Sequence, residues 1–328
     1  MTAPAQQRRQ DAESGPRRGP GSRARWILRA PLLPAFVFTV VVTQAPFILT
    51  LIVSSLNWNL LYPGSKDLVG LGKYQNFAGL SNYLTVFEDA RLRQSVVNTI
   101  FLTASVVIVS ALLGLMLAVL LDRKFLGRGL ARTLLIAPFL VMPVAAALIW
   151  KHVLYNPDYG LFNGILNSIW RVFGAENGPV IDWVSNTPMP AVAAALIWQW
   201  TPFMMLILLA GLQAQPGDVL EAARVDGAGG MQIFRYMTLP HLRQYIELAV
   251  LLGTLYIVQT FDAIFSITQG GPGTATTNLP YAIYLTMFRK YEYGQAAAAG
   301  VLVVIGTIIL ATFALRVVSS LLKEELPR

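Results

Sequence analysis

Six windows of this sequence are long enough and apolar enough to cross a lipid bilayer, and no other feature constrains the fold as tightly: Leu32 to Leu56, Val96 to Leu121, Leu134 to Tyr155, Ala191 to Leu212, Ile246 to Ile267 and Ala296 to Val318. A hydrocarbon core about 30 Å thick takes about 20 helical residues to span. Inside it no water meets the backbone N–H and C=O groups, so each window must satisfy them internally as a helix. Charged side chains make up 13% of the 328 residues and hydrophobic ones 55%, against about 25% charged in an ordinary soluble domain. These observations predict an all-α, polytopic membrane protein with six transmembrane helices.

The chain has no cysteine, which removes disulfides, thiolate metal sites and cysteine nucleophiles together. A net charge of +8 raises the question of nucleic acid, but the cations are neither interleaved with stacking aromatics nor gathered on one soluble module. They follow the loops instead. An even number of spans puts both termini on one side, and that side carries 17 of the Lys and Arg residues while the other carries 8. The positive-inside rule then places both termini in the cytoplasm. Arg123, Lys124, Arg128 and Arg132, in DRKFLGRGLAR, contribute most sharply because their loop is short. In this topology the two histidines, His152 and His241, lie on opposite sides, so no metal site uses both within one chain.

Residues 1–31 are rich in Arg, Gly, Pro and Ser and too poor in large apolar residues to fold alone. They are expected to form a disordered basic cytoplasmic tail, either a solvated arm or a partner-binding element. The run from Leu32 is too long for a signal-peptide core and has no small-residue cleavage site after it, which predicts an uncleaved first span. Residues 32–318 then form the membrane domain, and 319–328 a second cytoplasmic tail with Glu324 and Glu325 in solvent. Lys151 is expected to snorkel outward from the third span. Prolines at 34, 46, 138, 143 and 202 predict kinked helices whose freed carbonyls are met by neighbours.

Between the fourth and fifth windows, residues 213–245 contain EAARVDGAGGMQIFRYMTLPHL. Pro216 and Asp218 suit a helix start, where a missing N–H costs nothing and an acid meets the exposed amides. A short helix through Leu220, Glu221, Ala222, Ala223, Arg224 and Val225 is expected, with alanines that allow close approach of another surface. Gly227, Gly229 and Gly230 supply the positive φ of a tight turn. Met231, Phe234 and Met237 recur every third residue, an apolar stripe for a second short helix. Leu239 and Pro240 close the unit.

The pattern of Glu221, Ala222, Ala223, Gly227, Met237, Leu239 and Pro240 resembles the EAA loop of ATP-binding-cassette (ABC) importer permeases. Met237 replaces the family's usual Ile, and Gln244 stands where a proline often follows. The likeness extends over nearly all of residues 70–318, through GLSNYLTVFED, WQWTPFMMLILLAGLQ and TQGGPGTATTNLPYAIY, and is to carbohydrate-importer permeases of the maltose and glycerol-phosphate type. LNWNLLYPG, LLDRKFLGRGLAR and PHL are most similar to sorbitol and mannitol (polyol) permeases. The resemblance implies a type I ABC importer permease fold in the bacterial inner membrane. It implies a heterodimer with a second homologous permease, two copies of a cytoplasmic ATPase, and an extracytoplasmic solute-binding protein that delivers a sugar or polyol. It makes Glu221 the polar contact in a cleft of the ATPase, Ala222 and Ala223 the close-packed face and Gly227 the turn, with Asp226 beside it. GGPG at 270–273 lacks the lysine of a phosphate-binding loop, so ATP and Mg are expected on the partner ATPase, with no cofactor and no catalytic residue in this chain.

A candidate solute path comes from the spans. Ionisable residues inside a span are costly and usually functional, and Asp262 shares a predicted helical face with Tyr256 and Gln259, which suits hydroxyl groups of a polyol. Trp198 and Trp200, flanking Gln199, offer an apolar stacking surface. The alternatives are a capping or pairing role for Asp262 and an interfacial aromatic belt for the tryptophans. The outer segment from Gly270, with Tyr281, Tyr284, Phe288, Tyr291 and Tyr293, and residues 57–95 are candidate docking surfaces for the binding protein. A secondary, ion-coupled transporter is the alternative function, but it calls for inverted repeats and several buried ionisable groups, and the sequence shows no convincing repeat and, among candidate solute-path acids, Asp262 alone.

Overall fold

The computed structural model describes residues 33–61, 77–174 and 178–323. The expectations for the basic tail, for residues 62–76 of the first outer segment and for Glu324 and Glu325 fall outside the described residues. The chain divides into two units after Ile52, and each is taken by itself. Helix α1 (Leu33–Ser54) lies over the first apolar window and holds Pro46. Its threonines are satisfied within the helix: the hydroxyls of Thr39, Thr43 and Thr50 donate to the carbonyls of Ala35, Thr39 and Pro46 at 2.8, 2.7 and 2.9 Å. That is how a hydroxyl is carried into hydrocarbon at low cost.

Among its described residues the second unit is built of helices and the turns that join them, with two isolated antiparallel bridges, Leu56 with Phe77 and Asn59 with Glu292. Its long helices are α3 (Ala90–Asp122), α8 (Pro188–Gln213), α11 (Leu239–Val258) and α13 (Tyr293–Lys323), with α2 (Ser81–Glu88), α4 (Arg128–Leu140), α5 (Pro143–Leu148), α6 (Leu161–Val172), α7 (Trp183–Asn186), α9 (Gly217–Val225), α10 (Gly230–Ile233) and α12 (Leu279–Phe288) between them. Among the described residues, three π-helical turns interrupt the regular winding, at Ile149–Leu154, Phe234–Thr238 and Ile264–Thr268.

Helix α8 packs along α3 more extensively than any other helix pair, and α11 lies against both. The seam is built from fully buried Leu102, Val106, Met204, Met205, Leu208 and Leu209. Its tightest point is Gly114 of α3, where an added Cβ would sit 2.8 Å from the Cβ of Met204 and from the backbone nitrogen of Met205. Small residues let helices approach where lipid offers no hydrophobic drive for association. Helix α13 packs on α11, α12 and α2.

Among the described residues, four helices are long and apolar enough to span, α1, α3, α8 and α13, and a bent pair supplies a fifth. That pair, Arg128–Leu140 with Pro143–Leu154, covers the predicted third window, but its parts meet at 95°. Val141 and Met142 are extended (ψ 133° and 132°), because the ring of Pro143 pushes the residue before it out of the helical region. The predicted fifth window, Ile246 to Ile267, is not one helix either. Helix α11 stops at Val258, and the chain resumes at Asp262 into the third π turn.

Side chains answer the carbonyls that these breaks release. Gln199 Nε2 of α8 donates to the Val141 carbonyl at 3.1 Å, and Asn278 Nδ2 donates to the Thr260 carbonyl. Lys151 does not snorkel outward: its Nζ donates to the Ser266 carbonyl at 3.0 Å, joining the first π turn to the third. Ser266 lies in the last turn of its segment, where Gly271 N–H turns to the Thr268 carbonyl, so its own carbonyl is one of those a helix end leaves without a donor. Asn98 of α3 donates to the carbonyls of Thr274 and Thr277, both at 2.9 Å, and the Thr99 hydroxyl accepts from Leu279 N–H at 2.9 Å. These bonds fix the segment before α12.

Replacing Gly114 with Ala is expected to cost about 1–3 kcal/mol through overpacking against the backbone of α8. Gly306→Ala on α13, where no atom lies within 4 Å of the added carbon, should leave the thermal midpoint of the detergent-solubilised protein unchanged.

Candidate functional site

The segment between α8 and α11 is built from short helices whose ends are individually specified. Pro216 caps α9, with Asp218 in its first turn and Arg224 in its last, charges that complement the helix dipole. Glu221 and Ala222 are exposed on α9, whereas Ala223 is buried. The paired alanines thus divide: one faces inward and the other lies beside Glu221 on the open side. Exposed Asp226 ends the helix, donating its N–H to the Ala222 carbonyl at 3.0 Å.

Gly227 follows at φ +85°, with no atom within 4 Å of the position a Cβ would take. Backbone conformation, not space, therefore requires glycine there. The turn closes when Ala228 N–H donates to the Ala223 carbonyl at 2.9 Å. Gln232 Oε1 accepts from Gly229 N–H at 2.8 Å and starts α10.

Continuing from α10, the chain winds as the π turn Phe234–Thr238 and enters α11 with Leu239 half-buried and Pro240 in the first turn. The wider winding shifts the predicted stripe. Ile233 and Thr238 are buried, Phe234 and Met237 are half-buried, and Met231 is 77% exposed. A cavity of about 810 Å³ opens between this segment and the end of α3, lined by Met116 and Val119 on one side and Leu220, Arg224 and Phe234 on the other. A His241 ring nitrogen meets the Gly211 carbonyl at 3.1 Å and ties the start of α11 to the end of α8.

The second candidate region lies along α8 and α11. Trp200 stacks on Tyr256 with centroids 5.3 Å apart. Phe203 meets Trp200 edge-on at 5.6 Å, and Phe139, just before the 95° bend, completes the group at 5.8 Å from Trp200 and 5.3 Å from Phe203. Trp198 does not join them. It points to Trp150 at 5.9 Å, because residues two apart on a helix face different sides. Gln199 between them is buried and bound to Val141.

Tyr256, Gln259 and Asp262 do not share one continuous face. The helix ends between them, with Gln259 as the exposed cap of α11 and Asp262 half-buried at the start of the next segment. Phe139 and Phe203 were absent from the sequence reading of the path. Their signal was an aromatic beside Pro138 and one beside Pro202, at points where prolines bend the spans. In and near α12, Tyr281, Tyr284 and Phe288 form a separate cluster with Phe261 and Phe265, and Tyr293 stacks on Trp58 at 5.1 Å.

Comparison with known proteins decides the family. The profile described as "Binding-protein-dependent transport system inner membrane component" matches residues 32–323. The chain belongs to this family. Binding-protein-dependent permeases of this kind are non-catalytic membrane subunits whose ATPase is a separate protein. Among curated relatives, a probable ABC transporter permease from Sinorhizobium fredii is 36% identical over 81% of this chain and 81% of its own length. The trehalose/maltose transport system permease MalF of Thermococcus litoralis is 35% identical over 72% and 77%. The sn-glycerol-3-phosphate permease UgpA of Agrobacterium fabrum is 34% identical over 79% and 86%. In a crystal structure of a bacterial ABC transporter involved in the import of the acidic polysaccharide alginate, one chain superposes with a TM-score of 0.71 at 19% identity, over 90% of this chain and 96% of that one. The permease thus has the type I ABC importer fold.

Gln199→Leu is expected to leave the Val141 carbonyl buried without a donor and to cost about 1–3 kcal/mol. A lower melting temperature of the purified protein, with the helical circular dichroism signal retained, is the measurement that shows it.

Proposed function

We propose that this chain is one permease of an ATP-driven, binding-protein-dependent importer for a sugar or polyol, and that its EAA segment receives the ATPase. The observation that carries the coupling role is the docking geometry. Glu221 and Ala222 lie exposed on α9, beside a turn that needs glycine for its φ of +85° and has open space around it. A polar contact next to a small side chain suits insertion into a cleft of another protein, and the buried Ala223 lets α9 lie close to its own bundle.

The chain acts as a heterodimer with a second homologous permease, two ATPase subunits and an extracytoplasmic solute-binding protein. It lies in the bacterial inner membrane with both termini cytoplasmic and six crossings. The bent pair α4–α5 serves as the third crossing, and α11 with the third π turn as the fifth. ATP and Mg bind on the partner ATPase. ATP-driven closure there draws the docked segments together and switches the spans between inward-facing and outward-facing states, and hydrolysis resets them.

The solute class rests on the relatives, whose names include trehalose/maltose and sn-glycerol-3-phosphate permeases, and on the aromatic group at Trp200. An aromatic face stacks against the C–H side of a sugar or polyol while neighbouring polar groups meet its hydroxyls. Trp200 and Tyr256, stacked at 5.3 Å with Phe203 at their edges, form that face, and Gln259 and Asp262 stand at the end of the same helix and just beyond its break. Trp198, directed to Trp150, shapes the wall from behind.

In proteoliposomes holding the complete transporter, Glu221→Lys and Gly227→Val are expected to abolish ATP-coupled uptake while membrane insertion stays normal. Wild-type uptake by both variants would remove the docking role. Trp200→Ala is expected to lower uptake about threefold to tenfold at limiting solute, the scale of one aromatic stacking contact.

A further inference from the structure

Three polar side chains close a ring between α11 and α13, just beyond the EAA segment. Arg243 Nε donates to Glu247 Oε1 at 2.8 Å, one turn along the same helix. Arg243 Nη2 donates to the Ser319 Oγ at 3.1 Å, and the Ser319 hydroxyl donates to the same Glu247 oxygen at 2.6 Å. The charged pair is 28% and 27% exposed. Alone, a four-residue Arg–Glu spacing on an exposed helix contributes little. Here the third member comes from 76 residues further along the chain, and every bond in the ring has an ionised partner in a partly dehydrated place.

The ring fixes something that apolar packing does not. Helices α11 and α13 lie against each other, but dispersion and burial are non-directional and permit sliding and rotation. A one-residue slip moves a helix by about 1.5 Å, which breaks bonds of 2.6–3.1 Å. On its other side the same stretch of α11 is held to α8. His241 meets the Gly211 carbonyl at 3.1 Å, and the Tyr245 ring occupies the space a Cβ on Gly211 would need, 2.6 Å away. Residues 241–247 are therefore locked to one helix on each flank, immediately after the π turn that ends the EAA segment.

We infer that Arg243, Glu247 and Ser319 form a positioning clamp that carries displacement of the EAA segment into α13, so that the last span moves with α11. This inference rests on the coupling reading above. The three clamp residues lie on α11 and α13, apart from α9 and from the aromatic group at Trp200.

The test uses the complete transporter in proteoliposomes, with solute uptake and ATP hydrolysis measured in the same vesicles. Glu247→Gln and Ser319→Val are expected to lower uptake about tenfold while hydrolysis stays near wild type, so that solute moved per ATP falls in proportion. A clamp that only stabilises the fold would lower both together and leave that ratio unchanged, which overturns the inference. Ser319→Ala, which removes a single hydroxyl, carries the measurement should Glu247→Gln not assemble.

Because the native chain has no cysteine, the pair Arg243→Cys and Ser319→Cys can be joined by a cleavable bifunctional thiol reagent. Uptake should return on bridging and disappear on cleavage, and failure to return also overturns the clamp. Glu221→Lys in the same vesicles separates the two ideas. If it uncouples transport and the clamp variants do not, the clamp alone falls; if it leaves coupling intact, the docking reading falls and the clamp falls with it.

Discussion

A backbone carbonyl that loses its helical donor inside a bilayer has no water to turn to, and much of this structure follows from where replacement donors were found. Regular α-helix avoids the problem, and α3 and α8 do so along most of their length. The bend at Val141 and Met142 and the break at 259–261 do not avoid it. Each persists because a side chain from another part of the chain reaches the freed oxygen: Gln199 at Val141 and Asn278 at Thr260. Lys151 does the same for the Ser266 carbonyl, left free where the third π turn ends. Such substitution is the condition on which irregular backbone is tolerated at membrane depth.

These breaks have a use. The bend brings Phe139 against Trp200 and Phe203, and the end of α11 leaves Tyr256 55% exposed on the same aromatic group. Straight helices would bury such rings against one another or offer them to lipid. Beyond the C-terminal end of α8, the segment leading to α11 is also irregular, and there its backbone is satisfied locally by caps and turns, with Gly227 N–H, Ala228 N–H and Gly229 N–H each paired inside the segment. One kind of irregularity is thus held by distant side chains and the other by its own chain.

How far the sequence revealed this depended on the kind of interaction. Apolar windows translated into α1, α3, α8 and α13 with little loss, because burial and backbone hydrogen bonding agree there. Pro143 marked the bend, and the Gly227 turn was legible because only glycine adopts its φ freely. The break after Val258 was not legible: Gln259, Thr260 and Phe261 carry no proline or glycine, and the break is held open by Asn278 from another segment. Trp198 and Trp200 looked like one surface in the sequence and turned apart on the helix. The contact between Arg243 and Ser319 lies beyond any local pattern, since nothing in either stretch announces the other.

The three π turns carry a consequence of their own. A π turn is an α-helix with one residue too many, absorbed as a local swelling. At 149–154, 234–238 and 264–268 this permease therefore spends a surplus residue beside its bend, at its entry into α11 and after its break. One added residue turns everything that follows by about 100° around the helix axis. Each swelling therefore sets which face the next stretch presents to its neighbours, and each stretch keeps its own regular winding.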